Sequence, residues 1–218
     1  EPGGAEGERD GEFGRYLRVS CDDDAEGMKR EADWFSREFA HDMEFWPTER
    51  VGEAMSSEQY YQGLHDADAF HVHPLNLAIA LAEEIKRRGG KIYENTAALN
   101  ADIDGVRKII VTPRGTIRAE HVVFAGNDLP VGDFPDLART ILPVATYLGV
   151  TRPTGTKLAE VIRYAGCVQD DRHAFNYFRV IGDRLMGGAG ISTSLKQPAD
   201  LEEQLRKRIL SVFPQLSG

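Results

Sequence analysis

The chain has 218 residues, 41% of them hydrophobic and 28% charged, a globular balance with length for one large domain or two small ones. Its formal net charge of −9 argues against a nucleic-acid groove or an anionic membrane surface as the main partner. No apolar run reaches the length of a membrane span, and the N-terminus is polar rather than signal-like.

Two cysteines, Cys21 and Cys167, lie far apart and form no CxxC, which points to a reduced cytoplasmic setting, with a single disulfide as the alternative. The chain opens on Glu1 rather than Met, as a fragment or a trimmed piece would. Residues 1–14, rich in Gly and acidic side chains, are expected to be disordered or loosely attached. Tyr16-Leu17-Arg18-Val19 alternates as a strand does. Asp22-Asp23-Asp24 precedes Met28, Ala32, Phe35 and Phe39, which are apolar at helical spacing. The acidic triplet reads as a helix cap favoured by the dipole, in preference to a metal site. Cys21 beside those carboxylates is expected to have a raised thiol pKa, which argues against a nucleophile. Met43 to Trp46 predicts a short strand, and Thr48 caps a short helix through Met55.

The stretch Tyr60–Glu94 organises the middle of the chain: a polar approach, an extended Ala69–His73, a helix and a new strand. Pro74 suits a first helical turn, where its missing N–H costs nothing. Leu75, Ala78, Ala82 and Ile85, with Leu77 and Leu81 alongside, form an apolar stripe. Lys86, Arg87 and Arg88 complement the helix dipole, and Gly89-Gly90 supplies the stop. A helix feeding into a strand at Ile92-Tyr93 is half of an α/β crossover. Extended segments are expected at Lys91–Thr96, Val106–Thr112 and Ile117–Ala125, with turns at Asp104-Gly105 and Pro113-Arg114-Gly115. His121–Ala125 lacks alternation, as a strand buried on both faces would, and ends in Gly126-Asn127-Asp128, where backbone can approach a ligand.

Pro143–Arg152 reads as another strand, followed by a Pro/Gly/Thr loop. Ala174–Val180 and Arg184–Gly188 flank Ile181-Gly182-Asp183, a hairpin signal. Asp200 with Glu203 resembles a capping box for a helix carrying Leu201, Leu205, Ile209 and Val212 and ended by Pro214. The total is an α+β or mixed α/β chain with about four helices and eight or more strands.

Candidate chemistry is sparse. His71 and His73 share a face of an extended segment with His65 nearby, yet no third metal ligand follows at a persuasive spacing, so no metal is assigned. There is no GxSxG elbow, P-loop or carboxylate pair. Gly187-Gly188-Ala189-Gly190 lacks the Lys-Ser/Thr ending of a phosphate cradle and reads as a close-packed strand end. In Ala174–Val180, Phe175, Tyr177 and Arg179 share one face, while Asn176, Phe178 and Val180 share the other. Tyr beside Arg suits a carboxylate, which the guanidinium holds in a bidentate pair. The competing reading is an aromatic core strand with Arg179 paired to a structural carboxylate such as Asp171, and the residues alone favour it.

A longer pattern emerges from Tyr61-Gln62-Gly63-Leu64, His71-Val72-His73-Pro74, Gly89-Gly90-Lys91-Ile92-Tyr93-Glu94 and Ile117 to Asn127. It continues through Phe134-Pro135, Leu142-Pro143-Val144, Asp170-Asp171-Arg172, Asn176-Tyr177-Phe178-Arg179, Gly182 to Leu185, Gly187-Gly188 and Ile209 to Leu216. Together these resemble the middle of FAD-dependent oxidoreductases of the D-amino-acid-oxidase superfamily, in the branch of gamma-glutamylputrescine oxidoreductase, glycine oxidase and sarcosine oxidase. The resemblance runs from about Arg15 to Gly218. The N-terminal GxGxxG that seats the FAD pyrophosphate and the Gly-rich C-terminal segment of that family are absent, so the chain is expected to be a central fragment that alone holds little or no FAD and is inactive.

The resemblance implies an antiparallel-sheet substrate domain from 15–66 and 143–218, and part of a Rossmann-like FAD-binding domain at 67–142. For the complete protein it implies oxidation of the C–N bond of a small amine or amino acid to an imine by hydride transfer to FAD. Substrate contacts are expected from Tyr177, Arg179, Tyr147, Arg163 and His71, and flavin contacts from Gly126 and Asn127; no catalytic residue is named. Two other readings remain: a non-catalytic small-molecule binding module derived from the same fold, and a His-dependent metalloprotein. In the leading reading His71-Val72-His73-Pro74 becomes a crossing between domains.

Overall fold

The computed structural model describes residues 15–127, 139–174, 176–194 and 196–217. Expectations placed on residues 1–14, Asp128, Phe134-Pro135 and Phe175 lie outside them. The described residues form ten strands and five α-helices in a mixed α+β arrangement. They divide into two compact units, Glu1–His71 with Val144–Gly218 and Val72–Pro143.

The first unit is built on β1 (Tyr16–Val19), whose alternation leaves Leu17 and Val19 fully buried on one side. α1 (Ala25–Phe39) follows, with the Asp24 carboxylate accepting from the Gly27 amide at 2.8 Å, so the acidic triplet caps a helix as its sequence implies. Its stripe is less buried than its spacing suggests: Met28 is covered, whereas Phe39 is 61% exposed and stacks edge-on with Trp34. β2 (Glu44–Trp46) leads into α2 (Thr48–Ala54). Thr48 is the first helical residue rather than the cap, which is Pro47, and its hydroxyl accepts from Gln62 instead.

β3 (Gly63–Asp66) lies in the stretch read as a polar approach, because its polar ends mask a strand whose Gly63, Leu64 and His65 are buried. From the C-terminal part come β7 (Ala145–Val150), α4 (Thr156–Val161), β8 (Cys167–Asp170), β9 (Tyr177–Ile181), β10 (Arg184–Ser192) and α5 (Leu201–Val212). The seven strands lie in the order β2-β3-β1-β8-β9-β10-β7, antiparallel throughout except for the parallel β1–β8 pair. The expected hairpin closes at Gly182, whose φ of 59° is open to glycine at no steric cost. The capping box at Asp200 does not form: that carboxylate accepts from the Gln204 side chain at 2.8 Å.

The core lies on the sheet face opposite the half-buried face described below. Leu17, Val168, Phe178 and Leu185 pack there with Leu158 and Val161 of α4 and Val212 and Phe213 at the end of α5. Phe178 meets Phe213 edge-on at 5.2 Å.

The second unit contains α3 (Pro74–Arg87) and a small antiparallel sheet of β4 (Asn100–Asp102), β5 (Lys108–Thr112) and β6 (Gly115–Ala119). α3 starts as expected, with Pro74 in its first turn and His73 Nδ1 accepting from the Asn76 amide at 3.3 Å. No residue of α3 is buried, and Leu75 is 62% exposed. Two expected strands are missing: Lys91–Thr96 and His121–Ala125 carry no ladder, because β-rich residues form a strand only where a partner supplies hydrogen bonds. No helix among the described residues is long and apolar enough to cross a membrane.

Candidate functional site

Strand register assembles one face of the larger sheet row by row. β1 pairs Tyr16 with Cys167 and Arg18 with Gln169 of β8. The β8–β9 ladder pairs Gln169 with Tyr177 and Val168 with Phe178, which sets Cys167 across from Arg179. β10 then continues the rows, with Gly188 beside Tyr177 and Met186 beside Arg179. Paired residues point to the same face, so Cys167, Arg179 and Met186 form one row and Gln169, Tyr177 and Gly188 the next. These positions are half-buried, apart from the buried Gly188.

Gly188 has a specific purpose in this row. A Cβ there would overlap the Tyr177 ring, so its absence lets the ring lie across β10. The Arg179 guanidinium donates to the Cys167 sulfur, and its charge also acts on His71. Burial pushes the Cys167 thiol up, against the pull of Arg179, which keeps it protonated and no nucleophile. Burial, with Arg179 adding to it, holds the His71 imidazole below its usual range. His71 Nδ1 is buried and has no hydrogen-bond partner among the described residues.

Of the five expected substrate contacts, Tyr177 and Arg179 share a face of the sheet, and the charge of Arg179 acts on His71. Tyr147 pairs with Ala189, which the β10 register places on the core face of the sheet, away from Tyr177 and Arg179. Arg163 is spent elsewhere: its guanidinium donates to the carbonyls of Gly52 (3.1 Å), Glu53 (2.5 Å) and Glu160 (2.6 Å). It thereby caps the C-terminal carbonyls of α2, a structural task for which the cation suits the helix dipole. Gly126 and Asn127 lie in the second unit, and Asn127 adopts a left-handed backbone with φ 57°.

Cys167, Gln169 and Met186 escaped sequence reasoning, since only the register aligns them with Tyr177 and Arg179. The suggested structural partner of Arg179, Asp171, instead accepts from the Ser20 hydroxyl at 2.6 Å and the Cys21 amide at 2.9 Å. The buried carboxylate that matters is its neighbour Asp170, which is fully buried and accepts from the Asn176 amide at 2.7 Å and the Asn176 side chain at 2.8 Å. Arg172 Nε lies 3.5 Å from Asp170 and donates to Cys21 Sγ at 3.1 Å. Cys21 has the raised thiol pKa expected, but burial is its main cause, ahead of Asp170 and Asp171. His65 stacks on Trp46 at 4.6 Å, and among the described residues no group of three or more His, Cys, Asp or Glu side chains is placed to hold a metal ion.

Residues 8–218 match the family of FAD dependent oxidoreductases known as DAO. Gamma-glutamylputrescine oxidoreductase of Escherichia coli (strain K12) is 32% identical over 180 residues, 81% of this chain and 42% of that protein. The probable oxidoreductase OrdL of Rhizobium meliloti (strain 1021) is 27% identical over 98% of this chain and 62% of its own length. The chain thus spans about half the length of these relatives. Among solved structures, glycine oxidase from Geobacillus kaustophilus superimposes with a TM-score of 0.72 at 18% identity, over 94% of this chain and 55% of that one. L-proline dehydrogenase from P. horikoshii gives 0.72 at 16% identity, over 94% and 57%. These likenesses establish the fold.

For the FAD that the family's description implies, the residues fit only in part. The left-handed turn at Asn127 can present backbone to a ligand, but the sequence has no GxGxxG to form a pyrophosphate cradle. The stretch before Gly126 has no strand pairing to hold it in place.

Proposed function

The chain belongs to the DAO family of FAD-dependent oxidoreductases, and from that premise we propose that it forms the substrate-binding part of an enzyme oxidising the C–N bond of an amine or amino acid to an imine. In this reading residues 15–66 and 143–218 make up the substrate domain, and residues 67–142 belong to the FAD-binding domain. The observation that carries it is the shared face of Tyr177 and Arg179, on neighbouring rows beside the polar Gln169 and the close-packed Gly188. A guanidinium and a phenol so placed hold a carboxylate by charge-assisted hydrogen bonds and thereby orient the carbon to be oxidised. FAD, when bound by the complete protein, supplies the oxidising power. Gly126 and Asn127 are the residues this reading assigns to the flavin side, on the strength of the left-handed turn.

The experiment is Arg179→Ala in the complete protein. Loss of a charge-assisted pair worth about 1.5–3 kcal/mol raises KM roughly ten- to a hundredfold. Unchanged turnover and KM would remove Arg179 from the site. The 218-residue chain on its own is expected to purify without flavin and without activity. A stoichiometric flavin absorption band would contradict that. Cys21 and Cys167 are both free thiols, which supports a reducing cytoplasmic setting; a thiol count of zero in the unreduced, denatured protein would overturn it.

A further inference from the structure

α1 buries only Met28, and its opposite side presents Trp34 to solvent at 45% exposure. That indole is braced in place: it meets the Phe35 ring at 5.0 Å and the Phe39 ring at 5.1 Å, both edge-on. An exposed tryptophan that is already ordered has little side-chain entropy left to lose on binding. Arg30, Arg37 and Glu38 are exposed around it, and at 3.6 residues per turn they share with Trp34 a stripe about 100° wide. Arg30, Asp33, Ser36 and Arg37 line a shallow hollow on the same helix. Neither Arg30 nor Glu38 forms an ion pair among the described residues. Tryptophan and arginine are the side chains that dominate binding energy at protein interfaces. We propose that this face of α1 docks a second copy of the chain, in an isologous dimer whose two α1 helices cross antiparallel at Trp34.

The occupant follows from the charge pattern, which is its own complement. In an antiparallel pair with the two-fold axis at Trp34, residues equally far before and after that position come together. Arg30 of each copy then meets Glu38 of the other, so one pairing is made twice. Arg37 falls opposite Glu31, whose charge Arg18 already holds, so the Arg30–Glu38 pairs carry the specificity. A parallel pair would instead set Arg30 against Arg30 and Glu38 against Glu38, which like charges disfavour. Trp34 enters as a knob between Arg30, Asp33 and Arg37 of the opposite helix, where a guanidinium can lie over the indole face. One helix face per copy is a small interface, so the dimer is weak and dissociates on dilution.

The test is sedimentation velocity on the complete protein over a range of concentrations. A dimer that dissociates on dilution is expected. Arg30→Glu and Glu38→Arg each place two pairs of like charges across the axis, and each should raise the dissociation constant roughly tenfold. The double variant, Arg30→Glu with Glu38→Arg, exchanges the charges without altering their complementarity and should restore the dimer. Trp34→Ala, which empties the centre of the interface, should abolish it. A complete protein that stays monomeric at every concentration overturns the proposal, as it would if another segment of the same protein covered α1. A dimer indifferent to both single reversals, or a double variant no tighter than the single ones, also overturns it.

Discussion

At the scale of single residues, a buried carboxylate with several partners anchors the larger sheet. Asp170 is completely buried, and its oxygens are engaged by Asn176 and approached by Tyr60 (3.5 Å) and Arg172 (3.5 Å). Asp170→Ala would leave the Asn176 amide and a guanidinium facing an apolar gap, at a cost of roughly 3 kcal/mol in urea unfolding. Arg163→Ala removes the donors at the end of α2, and about 1 kcal/mol of stability should be lost with no change in KM of the complete enzyme. A raised KM would return Arg163 to the substrate site.

His65 supplies a pH prediction. Burial first, with Arg15 and Arg50 adding to it, holds its pKa below the ordinary 6.5, against the opposing pull of Glu44 at 3.4 Å. The unfolded chain then takes up the proton more readily than the folded one, so stability is full above about pH 6.5 and declines as pH falls from there through the lower folded value. Urea midpoints measured between pH 7.5 and 5 should fall, and His65→Gln should flatten the profile. Equal slopes in the two proteins would show that His65 is not the group responsible.

At the scale of elements, local chemistry was legible wherever it is self-contained. The alternation of Tyr16–Val19, the Asp24 cap, the Pro74 start and the Gly182 turn can all be read from neighbours in sequence. Gly182→Val forces a β-branched residue into a left-handed φ of 59° and should cost about 1–2 kcal/mol in a denaturant titration. Strands whose existence depends on a partner were not legible. β3 and β8 went unrecognised because short, polar segments become strands only by pairing with β1. The reverse error occurs at Lys91–Thr96 and His121–Ala125, which have strand-like composition and no ladder. Their amides should exchange with solvent rapidly in this chain, while those of β1 and β8 stay protected. Equal protection in a hydrogen-exchange experiment would show that the strands form after all.

At the scale of the whole molecule, the seven-stranded sheet draws on both ends of the chain, and the parallel β1–β8 pair joins them. A specific protease site inserted after Asp104 should therefore give two pieces that stay together on size exclusion in native buffer and separate in urea. Separation without denaturant would mean that the β1–β8 seam is weaker than its buried Leu17, Val19 and Val168 imply.

By itself the sequence determined the mixed α+β class, the helix and turn punctuation, the family resemblance and the shared face of Tyr177 and Arg179, because side-chain periodicity and capping act over a few residues. Tertiary structure alone decided that Tyr147 sits on the opposite face, that Arg163 caps α2, and that Cys167, Gln169 and Met186 flank the pair. The sheet that carries them pairs strands 151 residues apart, and no local pattern encodes register across such a distance.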